Sequence, residues 1–132
     1  MQNSMKTKCD WYNQIKVLCF DFDGTVADTM PFLSDIAVEI MSTYYKVDER
    51  FAQKRYIETT GLPFEQQIAS IFPEHANNPI AVKEFEDRKK NNYLNLQPVT
   101  GIEKVLRVLK EKGYTVAISS STLQQLVTEY VQ

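Results

Sequence analysis

Phe20-Asp21-Phe22-Asp23-Gly24-Thr25 is the stretch on which the fold turns, and it follows directly on Ile15-Lys16-Val17-Leu18-Cys19. Residues 15–20 are short, mostly apolar and rich in β-formers, and the Asp23-Gly24-Thr25 turn bounds them. They read as a buried strand with two aspartates at its carboxyl end. Side chains at i and i+2 of an extended chain point the same way, so Asp21 and Asp23 project to one side and Phe22 to the other, toward a core. Two carboxylates held that close cannot both ionise freely. Either a divalent cation joins them or one keeps its proton.

On the C-terminal side of this strand, apolar residues at 32, 33, 36, 37, 40, 41, 44 and 45 follow a helical repeat, with Pro31 suited to a first turn. Asp48 reads as the N-cap of a second helix that ends near Thr59-Thr60-Gly61, and Pro63 opens a third that Phe72-Pro73 closes. A fourth, more polar helix covers about 79–96. Beyond the Pro98-Val99-Thr100-Gly101 turn, Ile102, Val105, Leu106 and Leu109 form a stripe that Gly113 caps. A strand over Tyr114-Thr115-Val116-Ala117-Ile118, the polar turn Ser119-Ser120-Ser121-Thr122 and a helix from Leu123 follow. The order is strand, helical insert, helix, strand, helix, which predicts a parallel sheet with right-handed crossovers and ligands at the carboxyl ends of its strands. Both polar turns fall at that edge.

Composition narrows the function classes. The chain has 132 residues, 43% hydrophobic and 24% charged, with fifteen basic and seventeen acidic side chains intermixed. That is the balance of a globular domain with no basic stripe for nucleic acid. No run of about eighteen apolar residues exists, and the N-terminal MQNSMKTKCDWYNQ lacks the apolar stretch of a signal peptide, so no membrane association and a cytoplasmic location are expected. In that compartment Cys9 and Cys19 are expected as thiols, with Cys19 buried in its strand.

The carboxylate pair suits phosphoryl chemistry. Magnesium takes one or two carboxylates, several waters and a phosphate oxygen, and its charge offsets the repulsion met by a carboxylate attacking phosphorus. In this reading Asp21 is the nucleophile and Asp23 the general acid and base, with both holding the metal. Gly24 lets backbone N–H groups approach a phosphate, and the Thr25 hydroxyl is available beside it to orient Asp23. In the second turn a Ser hydroxyl and the N–H groups opening the last helix are donors for phosphate oxygens. Ser120, with the Ser121 backbone, is the choice, although three consecutive serines leave the register open by one position.

Phe20-Asp21-Phe22-Asp23-Gly24-Thr25-Val26-Ala27-Asp28-Thr29 resembles the first motif of the haloacid dehalogenase (HAD)-like hydrolase superfamily, and Val116-Ala117-Ile118-Ser119-Ser120-Ser121 is similar to its second. The helices of 30–96 are similar to the small helical cap of the phosphoglycolate-phosphatase and β-phosphoglucomutase-like branch. The resemblance implies an α/β fold: a Rossmann-like parallel-sheet core, partial here, from 15–29 and 97–132, behind a polar leader over 1–14 and carrying an inserted cap over 30–96. It implies a Mg2+-dependent phosphatase acting on a small phosphorylated metabolite through an aspartyl phosphate. Thr60, Gly61 and Leu62, with Pro63, correspond to the cap loop that faces the substrate. The superfamily's third motif, carrying a Lys, and its fourth, carrying further acidic residues, have no counterpart after Ser121, so a truncated chain is expected.

Other readings stay open beside this one. A phosphosugar mutase would pass the phosphoryl group to a second hydroxyl instead of water, and a non-catalytic phosphate-binding module would need only the two turns. C–Cl hydrolysis has no use for an acid at Asp23, and phosphonate cleavage commonly uses a cap lysine for which Lys54 has no positional support. Asp28 reads as a cap or turn residue, His75 as a solvated loop residue, and 83–90 as a solvated helix face. The aromatic residues of 32–56 read as core.

Overall fold

The computed structural model describes residues 13–132, so Cys9 and most of the polar leader lie outside the described residues. Strand β1 (Val17–Asp21) is followed by helices α1 (Met30–Tyr45), α2 (Glu49–Glu58), α3 (Phe64–Ile71) and α4 (Asn78–Asn92). A short 3-10 turn, Tyr93–Asn95, leads to α5 (Ile102–Glu111), strand β2 (Thr115–Ser119) and α6 (Gln124–Val131). The strands pair in parallel, with Asp21 opposite Ser119. That register brings the two polar turns side by side at one sheet edge.

Local stereochemistry accounts for most element ends. Pro31 occupies the first turn of α1, where its missing N–H costs nothing, and Lys46 ends that helix in the left-handed region with φ 57°. The Asp48 carboxylate accepts the Phe51 N–H at 2.9 Å as the N-cap of α2, a contact worth about 1 kcal/mol. Gly113, at φ 86°, turns the chain from α5 into β2, where a side chain would be strained.

The apolar residues gather in two clusters. In the first, α1 turns Leu33, Ile36, Ala37, Ile40 and Met41 toward Ala52 and Tyr56 of α2, Phe64 and Ile68 of α3, and Ala81 and Phe85 of α4. The Phe64 and Phe85 rings stack with centroids 3.8 Å apart. The second cluster is smaller: Phe22, Val26, Ala27, Tyr93, Ile102 and Leu126 pack behind the sheet.

Four expectations are corrected. The first strand lies at 17–21, not 15–20, and it is half-covered, because Val17, Cys19 and Asp21 share the face that no described element covers. Cys19 is therefore exposed, not buried. The fourth helix ends at Asn92, and Tyr93–Asn95 tightens into a 3-10 turn that sends the chain back to the sheet. Within 83–90, Lys89 is 9% exposed, so that stretch is not uniformly solvated. His75 is exposed, accepts the Asn77 N–H on Nδ1 at 3.1 Å and sets its ring edge against Tyr45.

Candidate active site

The chain leaves β1 through a tight turn whose bonds converge on one carbonyl. Phe22 O accepts from the N–H groups of Thr25, Val26 and Ala27, and the Gly24 N–H donates to Ala27 O at 2.8 Å. Gly24 sits at φ 75°, and a Cβ there would meet Met30 Cγ at 2.7 Å, so this corner needs glycine on two counts. The chain returning from α4 is pinned against the same turn, by Asp28 N–H on Gln97 O and Val99 N–H on Val26 O, each at 2.9 Å. Outgoing and returning crossovers thus form one short two-ply segment between the helices and the sheet.

The two aspartates sit in different settings. Asp21 is exposed at the strand end, and its Oδ1 accepts the Phe22 N–H at 2.8 Å. Asp23 is gripped by hydroxyls: Thr29 Oγ1 donates to Oδ1 at 2.8 Å, Thr122 Oγ1 donates to Oδ2 at 2.8 Å, and the Tyr93 hydroxyl donates to Oδ1. These three, not Thr25, orient Asp23. Thr29 occupies the N-cap position of α1 yet makes no capping bond, since its hydroxyl is spent on Asp23. Burial, then the bond to Asp23, push the Tyr93 hydroxyl far above its ordinary pKa, which keeps it a donor.

A cavity of about 340 Å³ opens between the strand ends and the helices. Asp21, Asp23 and Ser119–Ser121 line one side, and Tyr56, Thr60, Gly61, Leu62 and Lys89 line the other. The Ser120 Oγ accepts the Thr122 N–H at 3.0 Å, which shapes the serine turn and leaves the Ser120 proton available to a ligand. Gln67, 5% exposed, holds the opposite loop by donating to Leu62 O at 2.8 Å and accepting the Thr59 hydroxyl at 3.0 Å. Tyr56 on that wall is pushed up to about 12, by burial first and then by Asp23.

Charge on the cavity wall is mixed. Among the described lining residues, Lys89 is the one cation, set against Asp21, Asp23 and Glu86. Its ammonium lies 5.5 Å from the Tyr93 ring centroid and makes no ion pair among the described residues. Among the described residues no group of three or more His, Cys, Asp or Glu side chains converges on one point. A metal here would draw on Asp21 and Asp23, with water and ligand oxygens completing its shell. Magnesium is bound by such small carboxylate sets.

Asp21 and Asp23 from the first strand end, Ser120 and Ser121 from the turn beside it, and Thr60, Gly61 and Leu62 from the facing loop all line the cavity, whereas Gly24 and Thr25 shape the first turn without lining it. Sequence reasoning missed Tyr93, Thr122, Thr29, Gln67 and Lys89. Thr122 stood next to the serine turn and Thr29 within the first motif, while the other three sit in stretches whose local pattern is only helical.

The match to the haloacid dehalogenase-like hydrolase model spans residues 18–132. The chain belongs to that family. Pyrophosphatase PpaX of Halalkalibacterium halodurans is 23% identical over 112 residues, covering 85% of this chain and 51% of that protein. IndB of Dickeya dadantii, named a probable phosphatase, is 30% identical over 112 residues, covering 80% of this chain and 47% of its own. This member of the family thus spans about half the length of the curated relatives it matches.

Solved structures of HAD-like proteins share its fold. A candidate phosphoglycolate phosphatase from Lactobacillus plantarum superposes with a TM-score of 0.66 at 18% identity, covering 87% of this chain and 53% of that one. A mutant of CbbY from Rhodobacter sphaeroides, in complex with xylulose-(1,5)bisphosphate, superposes with a TM-score of 0.61 at 18% identity, covering 88% of this chain and 55% of that one. Among the described residues no helix is long and apolar enough to cross a membrane.

Proposed function

We propose that the protein is a magnesium-dependent phosphatase acting on a small phosphorylated metabolite, and that residues 15–29 and 97–132 form its catalytic core while 30–96 form a cap. One observation carries this reading: the parallel register sets Asp21 beside Ser119, so both aspartates and the serine turn share the mouth of one cavity.

The roles divide by environment. Exposed Asp21 has an oxygen free to attack phosphorus, displacing the leaving alkoxide and becoming an aspartyl phosphate. Asp23, held at the adjacent position, gives a proton to that alkoxide and later takes one from the water that releases phosphate. Ser120 and the Ser121 N–H hold the transferring group, while the N–H groups of Gly24 and Thr25 are engaged within their own turn, by Ala27 O and Phe22 O, and serve to shape it. Asp21 and Asp23 would hold magnesium, whose charge would offset the repulsion between the attacking carboxylate and the phosphate. Thr60, Gly61 and Leu62 meet the part of the substrate beyond the phosphate, with Lys89 as the cation facing it. A small substrate suits a cavity of about 340 Å³, and the cytoplasm suits a chain with free magnesium and phosphate esters as its ligands.

The test is hydrolysis of nitrophenyl phosphate by the full-length protein, with magnesium and with a chelator, for wild type and for Asp21→Asn. Magnesium-dependent turnover that vanishes in the variant supports the reading. A folded wild type that neither turns over nor binds a phosphate analogue with magnesium overturns it.

A further inference from the structure

We infer that Tyr93 and Thr122 are positioning residues that lock the Asp23 carboxyl in the orientation needed for proton transfer. The inference rests on the phosphatase reading of Asp23 and adds two residues from distant parts of the chain to it.

The geometry is a closed ring of hydroxyls and carboxyl. The Tyr93 hydroxyl donates to Asp23 Oδ1, Thr122 Oγ1 donates to Asp23 Oδ2 at 2.8 Å, and the two hydroxyls lie 3.2 Å apart. Both carboxyl oxygens are engaged from different sides, so rotation about the carboxyl bond would break one contact or the other. The donors are themselves immobile. Tyr93 is fully buried and stacks on Phe22 with centroids 5.6 Å apart, and Thr122 is 6% exposed.

Packing alone does not ask for these groups. A phenylalanine would fill the Tyr93 site and a valine the Thr122 site without bringing polar atoms into the core. Hydroxyl partners also suit a residue that must both give and take a proton. A hydroxyl donates to a carboxylate and accepts from a carboxylic acid without moving its oxygen, which an N–H cannot do. Tyr93 further lies in the 3-10 turn where the chain returns from the helices, 70 residues from Asp23, so the ring ties that crossover to the acid.

The test uses the full-length protein with magnesium and a series of aryl phosphates, and reads kcat/KM, which reports the step that expels the aryl group. Phenyl phosphate needs protonation of its leaving oxygen, whereas dinitrophenyl phosphate does not. Tyr93→Phe and Thr122→Val are expected to lose about 10- to 100-fold on phenyl phosphate, below the full worth of a general acid. On dinitrophenyl phosphate both should stay within about threefold of wild type, since no proton is then required. Thr122→Ser keeps the hydroxyl and is expected to restore phenyl phosphate turnover. Equal losses on both esters, or none on either, would overturn the inference while leaving the phosphatase reading intact. A wild type inactive on every ester would instead remove the reading beneath it.

Discussion

The helical part and the sheet part of this molecule are built on different terms. Helices α1 to α4 bury eleven residues in one another, with side chains such as Ile40, Met41 and Ile68 almost wholly enclosed. Among the described residues the sheet part buries six, leaves alternate residues of β1 and both ends of β2 at the surface, and exposes Val105 and Val108 on α5. Yet most of the chemistry-bearing groups belong to the sparsely packed part. The helices contribute a wall to the cavity, and a rigid wall is what their dense packing supplies, whereas the strand ends hold their functional groups by hydrogen bonds.

That contrast yields predictions of graded size. The largest effect belongs to the strand end: Asp21→Asn should lower kcat by on the order of 10⁴-fold or more, as loss of a nucleophile does, with a melting temperature close to wild type because Asp21 is exposed. Steady-state kinetics beside a thermal melt separates the two. If the variant melts well below wild type, the division between chemistry and packing is broken.

Next comes the helical core. Ile40→Ala removes a side chain 1% exposed and should cost about 2–5 kcal/mol in denaturant unfolding. Val105→Ala on α5, 47% exposed in the described chain, should cost about 0.5 kcal/mol or less. Similar costs at both positions would mean that α5 is covered in solution.

Smaller again is Lys89→Met, which keeps the apolar stem and removes the cavity's cation. It should raise KM for an anionic phosphate ester by about tenfold, an energy of roughly 1.4 kcal/mol, with kcat changed less. A fall in kcat alone would place Lys89 at the chemistry instead of the binding wall. Asp48→Ala, which removes the α2 cap bond at 2.9 Å, should cost about 1 kcal/mol with no effect on turnover.

What could be read along the chain is what short-range stereochemistry controls. The apolar run ending in Asp21-Phe22-Asp23-Gly24, the 3.6-residue repeat through α1, Pro31, Asp48 and Gly113 each act over a few residues, and the elements they mark were legible to within about two or three positions. The division of Phe22 inward from its flanking aspartates followed from the same two-residue period. Burial was less legible. Cys19 sits in an apolar run and still faces outward, because burial depends on what covers a face and not on the run itself. Lys89 sits in a charged stretch and still lies in the wall, because the face of α4 that carries Phe85, Glu86 and Lys89 meets the cavity.

By itself, then, the sequence determined that two carboxylates end a strand, that helices intervene, and that a serine turn ends a second strand. Only the tertiary structure decided that Tyr93 and Thr122, 70 and 99 residues from Asp23 along the chain, would close on its carboxyl. The physical reason is that neither residue carries a local signal: a tyrosine at the end of a helix and a threonine in a turn are ordinary there. They meet Asp23 because the parallel pairing of β1 with β2 and the return of the chain at the 3-10 turn bring three segments to one point, a product of packing that no local window contains.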